Sequence, residues 1–202
     1  HYNYSINENN FSYEDKFGNL KLPFPNLIGK FQLINISSAI ATVRNLKNLN
    51  ITDKQIKKGI TKIKSIARLQ EIKNGKLKNL IKNNKLFVDG SHNPLGAKVL
   101  ADYLDTLNCK KHMILGMMLN KNHNEYLSYF KGKINSLTIV DIPNQENAIG
   151  RKELKNKLKL EDLKINSKPT IQEAINSIPL KNNEIVLVTG SLYLAGEVLN
   201  LN

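Results

Sequence analysis

The sequence predicts an α/β fold in which a mostly parallel sheet carries helices on both of its faces. From about residue 69 onward, short apolar runs alternate with longer segments of helical periodicity, as in strand–helix–strand units. Three of the apolar runs stop at a turn that contains glycine, namely Gly90, Gly116 and Gly190. Because parallel strands end at one edge of a sheet, where ligands bind, we expect these turns to converge on one site.

Length and composition allow one large or two small domains, since the chain has 202 residues, of which 41% are hydrophobic. No apolar run approaches the roughly 20 residues of a membrane span. The single Cys109 excludes an internal disulfide and fits a reducing cytoplasm. We therefore expect a cytoplasmic monomer. The first residues, His1-Tyr2, show neither an initiator Met nor a signal-peptide layout, and we expect that an upstream part is missing.

The formal net charge of +13 raises the question of nucleic-acid binding. The excess charge comes almost entirely from Lys that is scattered along the chain, and there is no Trp and no strip of alternating aromatic and basic residues. Specific nucleic-acid binding is therefore not expected. A basic surface also attracts small anionic substrates.

The first 25 residues predict the last short strands of a domain that began upstream. Tyr2, Tyr4 and Ile6 alternate with polar residues, and Pro23 ends the last of these strands. A helix follows Gly29, and its predicted packing face contains Ile34, Ser38, Ala41 and Leu46.

A second helix should run from Asp53 to Ile63, because Thr52 and Gln55 form a capping-box pattern. Beyond Arg68 we place strands near 69–73, 85–89, 112–116, 136–140, 162–165 and 184–189, and helices near 94–107, 122–131, 151–158, 170–178 and 191–200.

The turn after the strand near 85–89 combines chemically useful groups. Asp89 and His92 lie in it, Asn93 is a candidate helix cap, and Pro94 fits the first helical position. A carboxylate, an imidazole and free N–H groups at a helix N-terminus suit an anionic or phosphorylated ligand. The alternative is an ordinary turn and cap, since Asp and Asn are common in both.

Two further polar features allow either a functional or a structural interpretation. Gln32 and Asn35 share one helix face, where two amides either read a flat polar ligand or contact solvent. Arg68 is one of three Arg in a Lys-rich chain. Its planar guanidinium either binds a phosphate or carboxylate group, or Arg68 is simply a surface cation. After the strand near 184–189, Ser191 is a candidate cap whose neighbouring N–H groups face the predicted site.

Together, these motifs resemble the Mur-ligase superfamily of ATP-dependent amide-bond synthetases. The resemblance rests on Asp89-Gly-Ser-His92-Asn-Pro94, on Ala67-Arg68-Leu69 and on Gln32-x-x-Asn35. The ending Val188-Thr-Gly-Ser-Leu-Tyr-Leu-Ala-Gly-Glu197 is similar to the folylpolyglutamate synthase / dihydrofolate synthase family within it. The resemblance implies that residues 1–66 are the C-terminal part of a central ATPase domain and that residues 67–202 form a Rossmann-like C-terminal domain.

The resemblance also implies a reaction. ATP, with Mg²⁺, converts a carboxylate of folate or dihydropteroate into an acyl phosphate, which the amine of L-glutamate attacks. The implied ATP contacts are Gln32 and Asn35 at adenine, Arg68 at phosphates or ribose, and Asp89. The implied glutamate contacts are His92, Lys121, Ser191 and Tyr193. Asp89 and His92 are the implied catalytic residues where the two substrates meet.

The sequence departs from the family pattern in two ways that matter. The family has Gly where this chain has Ala67, which is a mild change if φ is negative there. The Gly-rich phosphate loop with its Lys does not occur in these 202 residues. We therefore expect the metal ligands to lie upstream and the 202 residues to be inactive alone. Alternatives are a Mur-type peptidoglycan precursor ligase and a non-catalytic nucleotide-binding module.

Overall fold

The computed structural model describes residues 1–7, 10–158 and 163–202. They form two compact units, His1–Ile66 and Ala67–Asn202. The first unit contains β1 (Tyr2–Ile6), β2 (Phe11–Asp15), β3 (Gly18–Leu22), α1 (Phe31–Asn45) and α2 (Asp53–Thr61). The predicted short strands and two helices are thus confirmed.

The first unit is an antiparallel three-stranded sheet in the order β1-β2-β3, packed against its two helices. The core joins Phe11 and Leu22 of the sheet to Leu33, Ile36 and Ile40 of α1. The predicted packing face of α1 is therefore right for Ala41, which packs against this core, and wrong for Ile34 and Leu46. Ile34 is 49% exposed and Leu46 is 45% exposed. Leu33, Ile36 and Ile40 keep the same helical spacing one position away, and the sequence alone does not distinguish these two faces.

Polar contacts fix the ends of these elements. The Thr52 side chain accepts from the Gln55 N–H, and the Gln55 side chain accepts from the Thr52 N–H, which confirms the predicted capping box at α2. Arg44 closes the β2–β3 hairpin. Its guanidinium lies 3.2 Å from Asp15 Oδ1 and donates to the Phe17 and Gly18 carbonyls. This arginine therefore has a structural role.

The second unit is a six-stranded sheet with the order β4-β5-β9-β6-β7-β8. Its strands are β4 (Gln70–Ile72), β5 (Lys85–Val88), β6 (Lys111–Leu115), β7 (Ser136–Val140), β8 (Ile165–Lys168) and β9 (Ile185–Thr189). Its helices are α3 (Lys76–Leu80), α4 (Pro94–Asp105), α5 (His123–Ser128), α6 (Arg151–Lys157), α7 (Ile171–Asn176) and α8 (Leu192–Leu201). Among the described strands of this six-stranded sheet only the β4–β5 pair is antiparallel, so the predicted α/β fold with a mostly parallel sheet is confirmed.

Most element boundaries differ from the prediction by one to three residues, and the larger differences concern one strand and one helix. The strand placed near 162–165 begins at Ile165, and residue 162 lies outside the described residues. Helix α3 was not predicted, because its five residues are too few to show a helical period.

The helices form two layers. In one layer α5 contacts both α4 and α6, and in the other α3 contacts both α7 and α8. Helices α4, α5 and α6 connect strands in the direction from β5 toward β8, so right-handed connections place them on one face of the sheet. Helix α7 connects β8 back to β9, so the same handedness places it on the other face. The chain thus changes direction across the sheet at β9, and such a switch point is where open α/β sheets bind ligands.

A buried polar cluster lies at the amino-terminal ends of the strands. Glu184 Oε2 accepts from the Lys181 N–H at 2.9 Å and from His112 Nε2 at 3.1 Å. His112 Nδ1 is 2.8 Å from Ser136 Oγ. Burial raises the pKa of Glu184, but the hydrogen bonds from Lys181 and His112 outweigh it and hold that pKa below its ordinary value. The cluster ties β6, β7 and β9 together at this edge.

None of the helices in the described residues combines the length and the apolar character that a membrane crossing requires.

Candidate functional site

The turn after β5 is organised by the Asp89 carboxylate. Oδ1 accepts from the Ser91 N–H at 2.8 Å and Oδ2 from the Leu69 N–H at 2.7 Å, and the residue is 6% exposed. The Gly90 N–H donates to the Ala67 carbonyl at 2.8 Å. Asp89 therefore holds two loops together. The implied role of Asp89 as an ATP contact and catalytic residue stays a prediction, since each of its oxygens keeps a lone pair beyond the one that accepts from the main chain.

The segment next to Asp89 is strained. Ala67 has φ +53° and Leu69 has φ +49°, so two residues with side chains adopt the left-handed region. The condition under which Ala67 would replace glycine mildly, a negative φ, is therefore not met. Left-handed backbone costs about 1–2 kcal/mol per residue without glycine, so the surrounding bonds must maintain it. The bonds from Leu69 to Asp89 and from Gly90 to Ala67 are placed to do so.

Arg68 stands between these two left-handed residues. It is exposed, and no acidic side chain of the described residues lies within ion-pair distance of it. By contrast, Arg44 pairs with Asp15 and Arg151 pairs with Asp141. Arg68 is thus the arginine whose guanidinium is available to an external anion.

His92 is half-buried at the same turn. Its Nδ1 lies 2.9 Å from the Gly90 carbonyl oxygen, and because a carbonyl only accepts, Nδ1 carries the hydrogen. Nε2 has no partner among the described residues. Asn93 caps α4 by accepting from the Gly96 N–H at 2.8 Å, and Pro94 is at the first helical position, as predicted.

A cavity of about 460 Å³ opens at the carboxyl-terminal ends of β5, β9 and β6, a volume typical of small-molecule sites. Its lining consists of His92, Met118, Leu119, Asn120, Lys121, Asn147, Ser191, Leu192 and Tyr193. Four residues that the sequence assigned to one ligand are therefore together: His92, Lys121, Ser191 and Tyr193.

The loop that carries Lys121 is fixed from three directions. The Ile149 N–H donates to the Met117 carbonyl at 3.1 Å, and the Leu119 N–H donates to the Asn147 carbonyl at 2.8 Å. His123 Nε2 bonds to the Met118 carbonyl at 2.9 Å. Lys121 itself is half-buried, and no acidic side chain of the described chain pairs with it. The cavity thus contains an uncompensated cation on a fixed loop.

Main-chain contact brings the turns after β6 and β9 together. Gly190 has φ +105°, and a Cβ there would lie 2.6 Å from the Gly116 carbonyl oxygen. Only glycine fits, because the close neighbour is backbone. Ser191 follows as the cap of α8, and its side chain accepts from the Tyr193 N–H at 3.1 Å. Tyr193 is 55% exposed at the rim of the cavity.

A ring of three buried hydroxyl groups joins these turns to α5. Tyr126 Oη lies 2.9 Å from both Ser91 Oγ and Thr189 Oγ1, which are 3.2 Å apart. Each hydroxyl can donate once and accept once around the ring. Burial raises the pKa of Tyr126, and the bonds to Ser91 and Thr189 oppose part of that rise. The turn after β5, the end of β9 and α5 are thus held in one geometry.

Gln32 and Asn35 lie on α1 of the first unit. Asn35 Nδ2 donates to Gln32 Oε1 at 3.1 Å; Asn35 is exposed, whereas Gln32 is 4% exposed. Asn35 is therefore the more accessible of the two amides, and a ligand contact by Gln32 stays a prediction. Its buried side chain orients Asn35, which presents the accessible amide.

Sequence reasoning missed several residues of the site. Tyr126 of the hydroxyl ring and Asn147 of the cavity carry no local motif. Thr189 lies in the Val188–Glu197 ending on which the resemblance rests, but its contact with Tyr126 joins distant parts of the chain. Asn147 lies seven residues beyond the strand near 136–140. Its position is therefore set by the pairing of its loop with the loop after β6. Among residues 1–7, 10–158 and 163–202, no group of three His, Cys, Asp or Glu side chains is arranged to hold a metal ion.

Comparison with known families gives an independent result. The family model described as "Mur ligase, glutamate ligase domain" matches residues 68–192. The chain belongs to the Mur ligase family. The resemblance seen in the sequence is thereby confirmed, and the matched part covers β4 to the start of α8.

Individual members of the Mur ligase family are similar over nearly the whole chain. Folylpolyglutamate synthase of Lacticaseibacillus casei is 26% identical over 193 residues, which is 93% of this chain and 42% of that protein. The structure of E. coli FolC in complex with DHPP and ADP matches with a TM-score of 0.81 and 22% identity, over 98% of this chain and 45% of that one.

A third relative agrees in fold. The bifunctional folylpolyglutamate synthase/dihydrofolate synthase of Yersinia pestis, complexed with AMPPNP and Mn ion, matches with a TM-score of 0.79 and 19% identity. The match covers 98% of this chain and 45% of that one. The chain thus spans less than half the length of these relatives.

Proposed function

We propose that this chain is the C-terminal part of an ATP-dependent ligase that adds L-glutamate to folate. A bifunctional ligase of this kind also adds L-glutamate to dihydropteroate. The observation that carries the proposal is the unpaired Lys121 in the cavity, beside His92 and Ser191. A dicarboxylic amino acid supplies the anionic partner that Lys121 does not have within the described chain. The folylpolyglutamate synthase relative supports the folate acceptor.

Each cavity residue suits a part of glutamate binding. The Lys121 ammonium pairs with a carboxylate of glutamate, and His92 Nε2 faces an anionic oxygen or the attacking amine. Ser191, which is fixed by its cap, and Tyr193 at the rim complete the pocket wall. A related structure with Mn, AMPPNP and L-glutamate bound supports the assignment of the amino acid.

The nucleotide assignment rests on Arg68 and Asn35. The exposed Arg68 guanidinium has the charge and donor geometry for a phosphate or ribose oxygen. The Asn35 amide, oriented by Gln32, suits an adenine edge. ATP, when bound, supplies the phosphoryl group that activates the acceptor carboxylate, and Mg²⁺ neutralises its charge. Relatives complexed with ADP, or with AMPPNP and Mn ion, support both.

Asp89 acts in this proposal as a positioning residue. It holds Leu69 and thereby the strained segment from which Arg68 extends. Residues 1–66 then represent the end of the central ATPase domain and residues 67–202 the glutamate ligase domain. The single Cys109 fits a cytoplasmic enzyme, and we propose that the ligase works as a monomer.

The test is a steady-state assay of the complete ligase, expressed with any coding sequence that flanks residues 1–202. ATP hydrolysis should require both L-glutamate and a folate or dihydropteroate acceptor. His92→Ala should abolish most of the turnover while the circular-dichroism spectrum stays unchanged, because the imidazole is only half-buried and its one hydrogen bond lies within its own turn. Turnover only with a peptidoglycan precursor would instead identify a Mur-type peptidoglycan ligase. ATP binding without turnover of any acceptor would identify a nucleotide-binding module.

A further inference from the structure

We propose that Asn147 is an additional substrate-binding residue of the cavity, which donates a hydrogen bond from its amide to a carboxylate of the amino-acid substrate. This inference rests on the proposed function, because it takes the amino acid to be the occupant of the cavity. It adds a residue that lies outside the motifs on which the resemblance depends.

Asn147 has a fixed main chain and an unengaged side chain. Its carbonyl accepts from the Leu119 N–H at 2.8 Å, and two residues later the Ile149 N–H donates to the Met117 carbonyl. The residue is exposed and lines the cavity, and its side chain has no hydrogen-bond partner among the described residues. A polar group held in this way is preorganised for a ligand, since binding does not have to order the loop.

Sheet order places Asn147 at the far side of the cavity from His92. His92 follows β5, Lys121 follows β6 and Asn147 follows β7, while β9 lies between β5 and β6. Three strand spacings of about 4.8 Å separate the ends of β5 and β7 by roughly 14 Å. The charged groups thus lie toward β5 and β6, and the side next to β7 offers a neutral amide.

This arrangement matches a substrate with two carboxylates. The first carboxylate pairs with the Lys121 ammonium. The second requires hydrogen-bond donors of its own, and the Asn147 amide, whose main chain bonds to the loop that carries Lys121, supplies two N–H groups. An acidic side chain in its place would offer acceptors only and would repel the carboxylate.

The experiment compares Asn147→Asp, Asn147→Ala and the wild type of the complete ligase. L-glutamate and L-glutamine are each assayed at saturating ATP and acceptor, with glutamine measured as an inhibitor if it is not turned over. Glu146→Gln is the control, because Glu146 is an exposed neighbour that does not line the cavity. Asn147→Asp replaces an amide with a carboxylate, and Glu146→Gln makes the opposite replacement.

For Asn147→Asp we expect the preference for glutamate over glutamine to fall at least about tenfold, because the new carboxylate repels one ligand and accepts from the other. Asn147→Ala should raise the KM for glutamate less than Asn147→Asp does, and the KM for ATP should not change. Glu146→Gln should behave as the wild type.

An unchanged preference, or equal losses for glutamate and glutamine, would overturn the assignment of Asn147 and leave the proposed function in place. Wild-type turnover that does not depend on glutamate would overturn the proposed function itself, and the role of Asn147 with it. The wild-type measurement therefore separates the two failures.

Discussion

The Asp89 carboxylate and the Leu69 main chain are joined by a hydrogen bond of 2.7 Å across 20 residues of sequence. The same carboxylate accepts from the Ser91 N–H, so it connects the turn after β5 to the segment before β4. Arg68 extends from that segment between two left-handed residues. The position of Arg68 therefore depends on an acidic side chain that faces the protein interior.

Asp89→Asn should loosen this connection. An amide has one oxygen, so one of the two main-chain N–H groups loses its acceptor. Losing a buried hydrogen bond to a charged group costs about 1.5–3 kcal/mol of unfolding free energy. We expect destabilisation of that size in urea titrations and faster hydrogen exchange at the Leu69 or Ser91 amide. Glu146→Gln makes the same chemical change at an exposed site and should leave both measurements unchanged.

Ala67→Gly tests the left-handed backbone. Glycine at position 67 relieves about 1–2 kcal/mol of left-handed strain. This gain offsets two costs, the larger conformational entropy that glycine loses on folding and the loss of the buried methyl group. The unfolding free energy should therefore change by less than about 0.5 kcal/mol. Ala101→Gly is the matched comparison, because Ala101 is equally buried but helical. It should cost about 2 kcal/mol from helix propensity and the lost methyl group. Equal costs at the two positions would contradict the left-handed assignment.

The sequence predicted most of the second unit because its strands are short apolar runs that end in polar glycine turns. Pro94 and Asn93 marked the start of α4, and Ser191 marked the start of α8, through local capping chemistry. The grouping of His92, Lys121, Ser191 and Tyr193 followed from the rule that parallel strands end at one edge. The family resemblance then assigned those residues to one ligand.

The features that the sequence did not predict depend on contacts between distant residues. The inward orientation of Asp89 is set by Leu69, and the left-handed φ of Ala67 depends on Gly90 and the surrounding loop. The buried face of α1 is chosen by the sheet against which it packs, since two faces of similar spacing are available. Asn147 reaches the cavity through the pairing of two loops. None of these contacts leaves a local pattern in the chain.

Glu184→Gln should make stability less dependent on pH in the acid range. The folded-state pKa of Glu184 lies below its ordinary value of 4.5, so its ionised form stabilises the native state above that pH. This contribution is lost as the pH falls through the lowered pKa. We expect the variant to be about 1–2 kcal/mol less stable than the wild type at pH 7, because the Gln oxygen can still accept from Lys181 and His112 but lacks the negative charge that strengthens both bonds.

The difference between Glu184→Gln and the wild type should narrow as the pH drops below 4.5, where the wild-type carboxyl becomes protonated. Urea titrations at a series of pH values provide the measurement. Glu146→Gln, at an exposed position, should follow the wild type throughout. A difference that stays constant from pH 7 downward would show that Glu184 acts by packing alone.

The most direct measurement of the central claim is the KM for L-glutamate of Lys121→Ala in the complete ligase. Removal of the unpaired cation should raise that KM at least about tenfold and leave the KM for ATP unchanged, because the lost interaction is with the amino acid. Lys152→Ala, at an exposed position of α6 outside the cavity, should have no effect. An unchanged KM for L-glutamate, or an equal rise in the KM for ATP, would contradict the assignment of the cavity to glutamate.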